Sequence, residues 1–363
     1  MMKLIIAGGG TGGHLYPGIA VAHELLKKSP GSKVLFVGSP KELDGELIGK
    51  EGFAFEAVSQ KPFPSKLFSL PQFGWHSLQS VRQALPVVRR FSPDLILGMG
   101  GFSSVPVVLA GWLCRVPSIL FEPNLYPGKA NRFLSGFAAA IAVGFKPEKS
   151  FFSPKKTVCV GVPVRQAIAS LAQRGPKAPN GSFTLLVMGG SRGAEGINRA
   201  ILNAYSLLKK EISELKLIHI TGKDLFEGVL QAYQKKGIEK EVEVYPFVSD
   251  IDRLMGQAHL VVARSGASSL AEFAVSGLPS ILVPYPHSTQ DHQIHNARYF
   301  ERGGAATMIL EKDLSSDVFV NTVLKLKREP SQLNKMSEAA RKLAVDQSTI
   351  KLLNLLTSFA RSQ

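Results

Sequence analysis

Three glycine-rich turns carry the clearest chemical signal in the sequence. The first, Gly8–Gly13, follows the apolar run Leu4–Ala7 and precedes a helical pattern. The other two, Gly189–Ala194 and Arg264–Ser269, also come directly after apolar runs. At the start of a helix, such turns present backbone N–H groups and hydroxyls that suit a phosphate. Because two of them fall in the second half, we predict that this half binds the diphosphate of a nucleotide.

The first turn formally matches the G-x-G-x-x-G pattern of dinucleotide-binding units through Gly8, Gly10 and Gly13. Such units also carry an acidic residue after the second strand, where it binds the ribose. The second strand here ends at Val37 and is followed by glycine and serine. A nicotinamide or flavin cofactor is therefore not favoured, and we expect no cofactor. Glycines needed only for a tight turn remain an alternative.

Glu272 has two interpretations. It lies three residues after Ser269, which is the spacing of a capping box with Ser269 as the N-cap of a helix. A carboxylate in a nucleotide site can instead accept hydrogen bonds from both hydroxyls of a ribose. The spacing by itself does not decide between these two roles.

The segment after Pro286 is rich in histidine, with His287, His292 and His295 beside Asp291. These residues do not match the H-E-x-x-H spacing of a zinc site, and no cysteine accompanies them. We therefore expect a polar, sugar-binding or surface loop and no bound metal.

Short apolar runs that alternate with helical patterns must position these residues. Continuous apolar strands separated by helices indicate parallel sheets covered on both faces. The linker-like segment Gln173–Ser182 separates the two halves. We predict an α/β fold of two Rossmann-like, doubly wound parallel-sheet domains that face a central cleft. The predicted strands are Leu4–Ala7, Val34–Val37, Leu95–Leu97, Ser118–Phe121, Ala140–Val143 and Thr157–Val160, then Thr184–Met188, Lys216–Ile220, Glu243–Tyr245, Leu260–Ala263 and Ser280–Val283.

Composition limits the class of protein. The 363 residues suit two domains, and 45% apolar with 20% charged residues is a globular composition. With only Cys114 and Cys159, neither a disulfide framework nor a cysteine metal site is expected, which fits a reducing cytoplasm. The longest apolar region, Val105–Phe121, is interrupted by Pro106, Arg115 and Pro117, so no transmembrane helix is expected.

The formal net charge is +15, which points to an anionic partner. Met1–Pro163 holds 18 basic and 9 acidic residues, so this half carries the larger excess. The segment Lys61–Phe91 contains no acidic residue and combines basic residues with aromatic and leucine residues. That combination is typical of an anchor on an anionic membrane surface, although a core beneath a solvated basic rim is an alternative. The anchor residues that we predict are Leu67, Phe68, Leu70, Phe73 and Trp75.

Seven short motifs follow one another along the chain: Gly9–His14 (GGTGGH), Gly98–Phe102 (GMGGF), Glu122–Asn124 (EPN), Pro163–Arg165 (PVR), Gly189–Ala194 (GGSRGA), Arg264–Ala267 (RSGA) and Asp291–Gln293 (DHQ). In this order and spacing the chain resembles the MurG family of bacterial N-acetylglucosaminyltransferases, which belongs to glycosyltransferase family 28. The resemblance covers essentially the whole chain. It implies the two-domain GT-B fold and an enzyme that converts lipid I (undecaprenyl-pyrophosphoryl-MurNAc-pentapeptide) to lipid II in peptidoglycan synthesis.

The resemblance also implies a division of labour. Residues 1–163 would bind lipid I and the membrane, residues 164–345 would bind UDP-N-acetylglucosamine (UDP-GlcNAc), and residues 346–363 would form a helix that packs back towards the first domain. The acceptor would lie near Gly10, Gly100, Gly101 and Phe102. The residues implied for UDP-GlcNAc are Thr11, Gly12, Gly13, Asn124, Arg165, Ser191, Gly193, Asn198, Phe247, Val248, Ala267, Ser268, Ser269, Glu272 and Gln293.

The chain departs from the family pattern at three positions. Family members commonly have glutamine where Pro123 stands, asparagine where Val162 stands, and tyrosine where Phe102 stands. The family's side-chain contacts are therefore not carried over at these positions.

The implied reaction is attack of the C4 hydroxyl of MurNAc on C1 of GlcNAc, with inversion and release of UDP. An alcohol is a poor nucleophile while protonated, so a general base must lie beside it. His14 is our candidate because a neutral imidazole suits proton transfer near pH 7. Capping of a helix or orientation of an acceptor phosphate is the alternative for His14.

The implied location is the cytoplasmic face of the bacterial inner membrane, as a peripheral protein that acts in cell-wall biogenesis, cell shape and cell division. Nucleic acid is not expected as a partner, because the sequence shows no recognisable nucleic-acid motif. A UDP-GlcNAc 2-epimerase, or another UDP-sugar transferase of the same fold, is the alternative enzyme.

Overall fold

A computed structural model describes residues 1–9, 12–40, 42–60, 70–146, 150–173, 182–190 and 193–360 of the chain. The chain divides into two compact units. The first unit comprises Met1–Arg165 with Val345–Gln363, and the second comprises Gln166–Ala344. Each unit is a parallel sheet covered by helices, as the alternation of apolar runs and helical patterns predicts.

The first unit contains a seven-stranded sheet in which every pairing is parallel. The strand order is β3-β2-β1-β4-β5-β6-β7. Its strands are β1 Lys3–Ala7, β2 Lys33–Gly38, β3 Ala54–Ala57, β4 Leu95–Gly98, β5 Ser118–Glu122, β6 Ala140–Val143 and β7 Thr157–Cys159. The helices that precede β7 in the chain are α1 Gly12–Lys28, α2 Glu42–Lys50, α3 Leu70–Phe91, α4 Ser104–Leu113 and α5 Lys129–Leu134.

The second unit repeats this architecture with six parallel strands in the order β10-β9-β8-β11-β12-β13. Its strands are β8 Phe183–Met188, β9 Leu215–Ile220, β10 Val242–Tyr245, β11 Leu260–Ala263, β12 Ser280–Leu282 and β13 Ala306–Met308. Its helices are α6 Gln166–Ala169, α7 Glu195–Glu211, α8 Phe226–Lys235, α9 Ile251–Met255, α10 Ala267–Ser276, α11 His292–Arg302, α12 Ser316–Arg328 and α13 Pro330–Leu343.

The last helix, α14 (Ser348–Phe359), belongs to the first unit and packs against α1. The chain approaches this helix closely at Gly161, where the backbone has φ +82° and a Cβ would overlap the side chain of Ser348. Glycine at this position therefore permits both the left-handed backbone and the contact with α14.

The eleven strands that the sequence predicts are all present, but β3 and β13 are additional. Both lie at an edge of their sheet, and both are only partly buried. A half-exposed edge strand needs no continuous apolar run, so this signal is missing from their sequences. Among the described residues, no helix combines the length and apolarity that a membrane crossing requires.

Candidate active site

In the first unit, two glycine turns lie side by side where the strand order reverses between β1 and β4. Met99 N donates to Ala7 O at 2.7 Å, which joins the ends of the two strands. Gly101 has φ +73°, and a Cβ on it would lie 3.5 Å from Gly9 O. Helices α1 and α4 begin just beyond these turns, so their N-termini are directed to the same edge of the sheet. We call this place the first crevice, since doubly wound sheets bind ligands at such a switch point.

The Gly100–Gly101 turn rests on Asn131, a buried residue of α5. Gly100 has φ +84°, and a Cβ on it would lie 3.1 Å from Asn131 Nδ2. That amide donates to Phe121 O and to Glu122 Oε2, each at 3.0 Å. Asn131 thus supports the turn from below and links it to the end of β5.

Glu122 is a buried carboxylate that organises the loop after β5. Its Oε1 accepts from Asn124 N at 3.0 Å and Asn124 Nδ2 at 3.1 Å, and its Oε2 also accepts from Gly128 N at 2.9 Å. Burial raises the pKa of Glu122 above its ordinary value, although the hydrogen bonds from Asn124, Gly128 and Asn131 oppose that effect. Asn124, predicted to bind substrate, is therefore held at the first crevice by Glu122.

In the second unit, the switch point lies between β8 and β11, and two of the predicted turns meet there. The turn after β8 is closed by a bond from Gly193 N to Gly190 O at 3.0 Å. Gly193 has φ +89°, and a Cβ on it would overlap the carbonyl oxygen of Thr221. Only glycine combines this left-handed backbone with so close an approach. We call this place the second crevice.

Two helices begin at the second crevice with residues that cannot cap them. The N-cap of α7 is Ala194 and that of α10 is Gly266, and neither side chain has an oxygen to accept from the first turn. The first-turn N–H groups of Ala267, Ser268 and Ser269 therefore lie at the end of β11 with no N-cap side chain. Such helix starts favour an anionic group.

The start of α10 corrects one interpretation of Glu272. Ser269 is the third residue of the helix and not its N-cap, so the capping box with Glu272 is wrong. Gly266 already has the extended backbone of an N-cap, with φ −66° and ψ 138°, and the helix begins three residues earlier than an N-cap at Ser269 requires. The ribose-binding role of Glu272 stays a prediction.

Arg264 and Glu311 form a contact that the sequence patterns do not indicate. Arg264 Nη1 donates to Val283 O at 3.1 Å and Pro284 O at 3.2 Å, and it lies 2.5 Å from Glu311 Oε2. The Arg264 guanidinium lies over the ring of Tyr285, 5.4 Å from its centre. Glu311 in turn lies against the first turn of α7, where a Cβ on the glycine at position 196 would overlap its carboxylate. This pair therefore ties the end of β11 to the start of α7.

Gln293 lies at the same edge, in the first turn of α11. Its Oε1 accepts from Tyr285 N at 2.9 Å, and its carbonyl accepts from Ser265 Oγ at 2.7 Å. Asn296, which is fully buried, donates to Ser265 O at 3.1 Å. These bonds join the turn after β11 to α11, so Gln293 and the residues of the Arg264–Ser269 turn form one local assembly.

The histidine-rich segment is a tight connection only as far as Asp291. His292 and His295 lie in α11, so the predicted loop is wrong for these two histidines. Gln290 and Asp291 have φ +54° and +52°, and His292 Nδ1 lies 2.7 Å from Thr289 O. The His287 ring packs edge-on against Tyr285 with centres 5.6 Å apart. Among the residues that the structure describes, no three His, Cys, Asp or Glu side chains form a group that could hold a metal ion.

The remaining predicted nucleotide contacts are spread over both units. Phe247 and Val248 follow β10 at the edge of the second sheet, where the exposed Phe247 ring lies 5.4 Å from Lys223 Nζ. Arg165 belongs to the first unit, and its guanidinium lies 5.4 Å from the centre of the Tyr16 ring.

Asn198 is buried in α7, with both ends of its amide bonded inside the protein. Its Nδ2 donates to Thr221 O at 3.0 Å, and its Oδ1 lies 3.0 Å from His219 Nε2. The side chain therefore supports the second crevice from within and does not line it. Sequence reasoning did not identify His219, because a histidine inside an apolar strand has the appearance of a core residue.

Five of the predicted residues lie outside the described part of the chain: Gly10, Thr11, Ser191, Leu67 and Phe68. Gly12, Gly13 and His14 open α1, and Leu70 and Phe73 lie in the first turn of α3, but of these only the helical backbone is described.

The first unit also exposes apolar side chains, most of which the sequence analysis did not identify. Trp75, which was predicted, is 56% exposed on α3, with Leu78 exposed one turn later. Trp112 at the end of α4 is 52% exposed, and its ring packs edge-on against Phe137 at 5.3 Å. Phe133 is 57% exposed, and its ring centre lies 5.6 Å from that of Phe137. We call Trp112, Phe133 and Phe137 the aromatic cluster.

Each unit is a doubly wound parallel sheet with helix N-termini at its switch point, the place where sheets of this class bind their ligands. The family model for the glycosyltransferase family 28 N-terminal domain matches residues 4–143, and that for the C-terminal domain matches residues 184–352. The chain is therefore a family 28 glycosyltransferase. It belongs, more narrowly, to the MurG family of UDP-N-acetylglucosamine–N-acetylmuramyl-(pentapeptide) pyrophosphoryl-undecaprenol N-acetylglucosamine transferases, which confirms the resemblance inferred from the motifs.

A curated relative from Halothermothrix orenii shows this membership. It carries the name of that transferase and is 36% identical over 99% of this chain and 100% of its own length. Another, from Thermodesulfovibrio yellowstonii, carries the same name and is 35% identical over 99% of both chains. These values along the whole length establish the family without reference to single motifs.

Solved structures agree with the fold. The crystal structure of MurG from Acinetobacter baumannii superposes on this chain with a TM-score of 0.78 and 23% sequence identity. The superposition covers 99% of this chain and 100% of the Acinetobacter baumannii chain. At that identity the likeness shows the fold alone.

Proposed function

We propose that this enzyme transfers GlcNAc from UDP-GlcNAc to the C4 hydroxyl of MurNAc in lipid I, with inversion, to give lipid II and UDP. The observation that carries the proposal is that each unit brings two glycine turns and two helix starts together at the switch point of its sheet. Both substrates contain a diphosphate, and each crevice has the backbone donors that a diphosphate needs. The full-length relatives named for this reaction support the choice of substrates.

The second crevice takes the donor. The diphosphate lies at the Gly189–Gly193 turn and at the first turn of α10, where backbone N–H groups and the hydroxyls of Ser268 and Ser269 bind it. Glu272 accepts the ribose hydroxyls, and Gln293 binds the sugar. Phe247, Val248 and Arg165 flank the nucleotide, and Asn198 orients the loop behind the turn.

The first crevice takes the acceptor. The pyrophosphate of lipid I lies against the turns after β1 and β4, near Gly100, Gly101 and Phe102. Asn124, in the loop after β5 that Glu122 holds, binds a hydroxyl of the GlcNAc that is transferred. Gly12 and Gly13 open α1 there, so the helix start adds a positive potential.

The chemistry needs a base and a stabilised leaving group. His14 lies in the first turn of α1 and removes the proton of the acceptor hydroxyl as the C4 oxygen attacks C1 of GlcNAc. The starts of α7 and α10 stabilise the negative charge that develops on UDP as the glycosidic bond breaks. Replacement His14→Ala should lower kcat at least ~100-fold with acceptor binding unchanged. Nearly full turnover in this variant would show that His14 is not the base.

The decisive experiment separates the transferase from the alternative epimerase. A structure of UDP-GlcNAc 2-epimerase from Neisseria meningitidis bound to UDP-GlcNAc has the same fold, with a TM-score of 0.68, 16% identity and coverage of 98% of this chain and 100% of its own. Labelled UDP-GlcNAc is incubated with and without a lipid I analogue, and products are followed by mass. A transferase forms the GlcNAc-extended lipid and UDP only with the acceptor. Conversion of UDP-GlcNAc without the acceptor would refute the proposal.

We further propose that the first unit associates peripherally with the cytoplasmic face of the inner membrane, where the enzyme serves cell-wall synthesis, cell shape and division. Trp75 and Leu78 on α3, and the aromatic cluster of Trp112, Phe133 and Phe137, expose apolar side chains. The surrounding sequence is basic, with Arg115 and Arg132 beside the aromatic cluster. Aromatic side chains next to basic ones suit an anionic lipid surface.

Vesicle binding tests this association. The double variant Trp112→Ser/Phe133→Ser should sediment several-fold less with vesicles containing anionic lipid than the unmodified enzyme does. A matched control is Leu207→Ser, which removes an exposed apolar side chain from α7 in the second unit. Equal sedimentation of the double variant and the control would refute this surface as the membrane contact.

A further inference from the structure

His219 is a fully buried histidine in the middle of the second unit. It lies in β9 with 0% exposure, one residue before the strand ends and two residues before Thr221. Burial lowers its pKa from 6.5 to about 3, so the imidazole is neutral at physiological pH. A neutral imidazole has one donor and one acceptor nitrogen, and both have partners here.

The partners fix the direction of every hydrogen bond around it. Thr221 O can only accept, so Asn198 directs its Nδ2 there at 3.0 Å and leaves its Oδ1 towards His219. His219 Nε2 must then carry the proton and donate to Asn198 Oδ1. The other nitrogen, Nδ1, accepts from the hydroxyl of Tyr233 at 3.0 Å. A directed series therefore runs from Tyr233 through His219 and Asn198 to the Thr221 carbonyl.

This series ends at the turn that binds the donor diphosphate. The Thr221 carbonyl accepts from Asn198 on one side and lies against Gly193 on the other, so closely that a Cβ on Gly193 would overlap it. Gly193 is part of the Gly189–Gly193 turn and lies two residues before the start of α7, the helix that carries Asn198. A shift of the carbonyl by a few tenths of an ångström must therefore be transmitted to the turn.

We propose that His219 is a positioning residue for the sugar-nucleotide diphosphate, because its donated hydrogen bond orients Asn198 and thereby holds the Thr221 carbonyl against Gly193. This inference rests on the proposed function, since it assigns the diphosphate to the Gly189–Gly193 turn. It concerns the diphosphate alone. The uridine base and the ribose contact other elements, and their binding does not depend on the series.

The test replaces His219 in two ways and uses a second histidine as the control. His219→Phe keeps a buried ring but leaves Asn198 Oδ1 without its donor. His219→Gln supplies an amide N–H near the position of Nε2 and should restore that bond. The control is His259→Phe at the opposite end of the second sheet, where His259 Nδ1 accepts from Thr184 N at 3.0 Å. Both histidines support the same unit, but only His219 is linked to the turn.

The readout is the ratio of the dissociation constants of uridine and UDP, measured by calorimetry, together with kcat and KM for UDP-GlcNAc. His219→Phe should weaken UDP binding about tenfold while uridine binding changes less than twofold. His219→Gln should recover most of that loss. His259→Phe should lower the melting temperature and leave the ratio unchanged, because a structural role alone does not discriminate between the two ligands.

Two results would overturn the inference. One is an unchanged uridine-to-UDP ratio in folded His219→Phe. The other applies if His219→Phe does not fold. Tyr233→Phe then removes only the hydroxyl that orients His219, and an unchanged uridine-to-UDP ratio in Tyr233→Phe would equally refute the inference. An unmodified enzyme that binds UDP no more tightly than uridine would instead refute the proposed donor site itself, so the two failures are distinguishable.

Discussion

Substitution of Gly193 by alanine tests the geometry of the second crevice most directly. Gly193 has φ +89°, and a Cβ on it would overlap Thr221 O and lie 2.9 Å from Leu225 Cδ1. The Leu225 side chain can turn away, but the Thr221 carbonyl is held by Asn198 Nδ2 at 3.0 Å. The turn must therefore move, and its backbone N–H groups move with it.

The expected loss follows from two contributions. An alanine in the left-handed region costs about 1–2 kcal/mol, which lowers the stability of the folded second unit. Displacement of the turn then weakens at least one charge-assisted hydrogen bond to the diphosphate, worth about 1.5–3 kcal/mol. The second contribution corresponds to a roughly 10- to 150-fold higher dissociation constant for UDP.

Gly190→Ala separates the two contributions. Gly190 belongs to the same turn and has φ +85°, but a Cβ on it would meet no atom of the described chain within 4 Å. It carries the backbone cost without the overlap. We expect both variants to lose similar stability in thermal unfolding, while UDP binding measured by calorimetry weakens at least about tenfold more in Gly193→Ala. Equal UDP affinities in the two variants would refute the argument that the contact with Thr221 sets the turn.

Three further predictions concern the groups beneath the two crevices. Because the pKa of His219 is about 3 folded and 6.5 unfolded, unfolding takes up a proton below pH 6.5, and stability falls as pH decreases. Urea unfolding should show about 2 kcal/mol lost between pH 8 and pH 5, and this loss should be absent in His219→Gln. In Glu122→Gln, an NH₂ group replaces one of the two carboxylate oxygens. That NH₂ then faces two donors that have lost their acceptor, either Gly128 N and Asn131 Nδ2 or Asn124 N and Asn124 Nδ2. The substitution should destabilise the protein by about 2 kcal/mol in urea, and an unchanged midpoint would contradict this. A double-mutant cycle of Arg264→Ala and Glu311→Ala should give a coupling energy of about 1 kcal/mol, since the pair is only partly buried, whereas additive losses would show no coupling.

The sequence predicted most of the strands because a buried parallel strand consists of a continuous run of apolar residues. It missed β3 and β13, which lie at the sheet edges and are only partly buried. It left open a capping box at Ser269, which the start of α10 at Ala267 excludes. The S-x-x-E spacing was present, but the extended backbone of Gly266 set the start of the helix. A local pattern cannot reveal which of several adjacent residues first takes helical dihedral angles.

The sequence also did not predict which side chains support the two crevices. Glu122 was part of a motif, yet nothing in its spacing showed that one carboxylate accepts from Asn124, Gly128 and Asn131. Arg264 and Glu311 lie 47 positions apart, and their pairing depends on how β11 and the segment after β13 are packed. Exposure of Trp112 and Phe133 likewise depends on which faces of α4 and α5 are covered.

By itself, the sequence determined the two-domain α/β class, the glycine turns that follow the strands and, through the order of its motifs, the family. These features are local, because each depends on residues that are close along the chain. Only the tertiary structure decided that β1 lies beside β4 and β8 beside β11. Strand order is set by packing of segments that are distant along the chain, and that packing brings the turns together in pairs. The same packing buries His219 between Tyr233 and Asn198, where both ring nitrogens have hydrogen-bond partners.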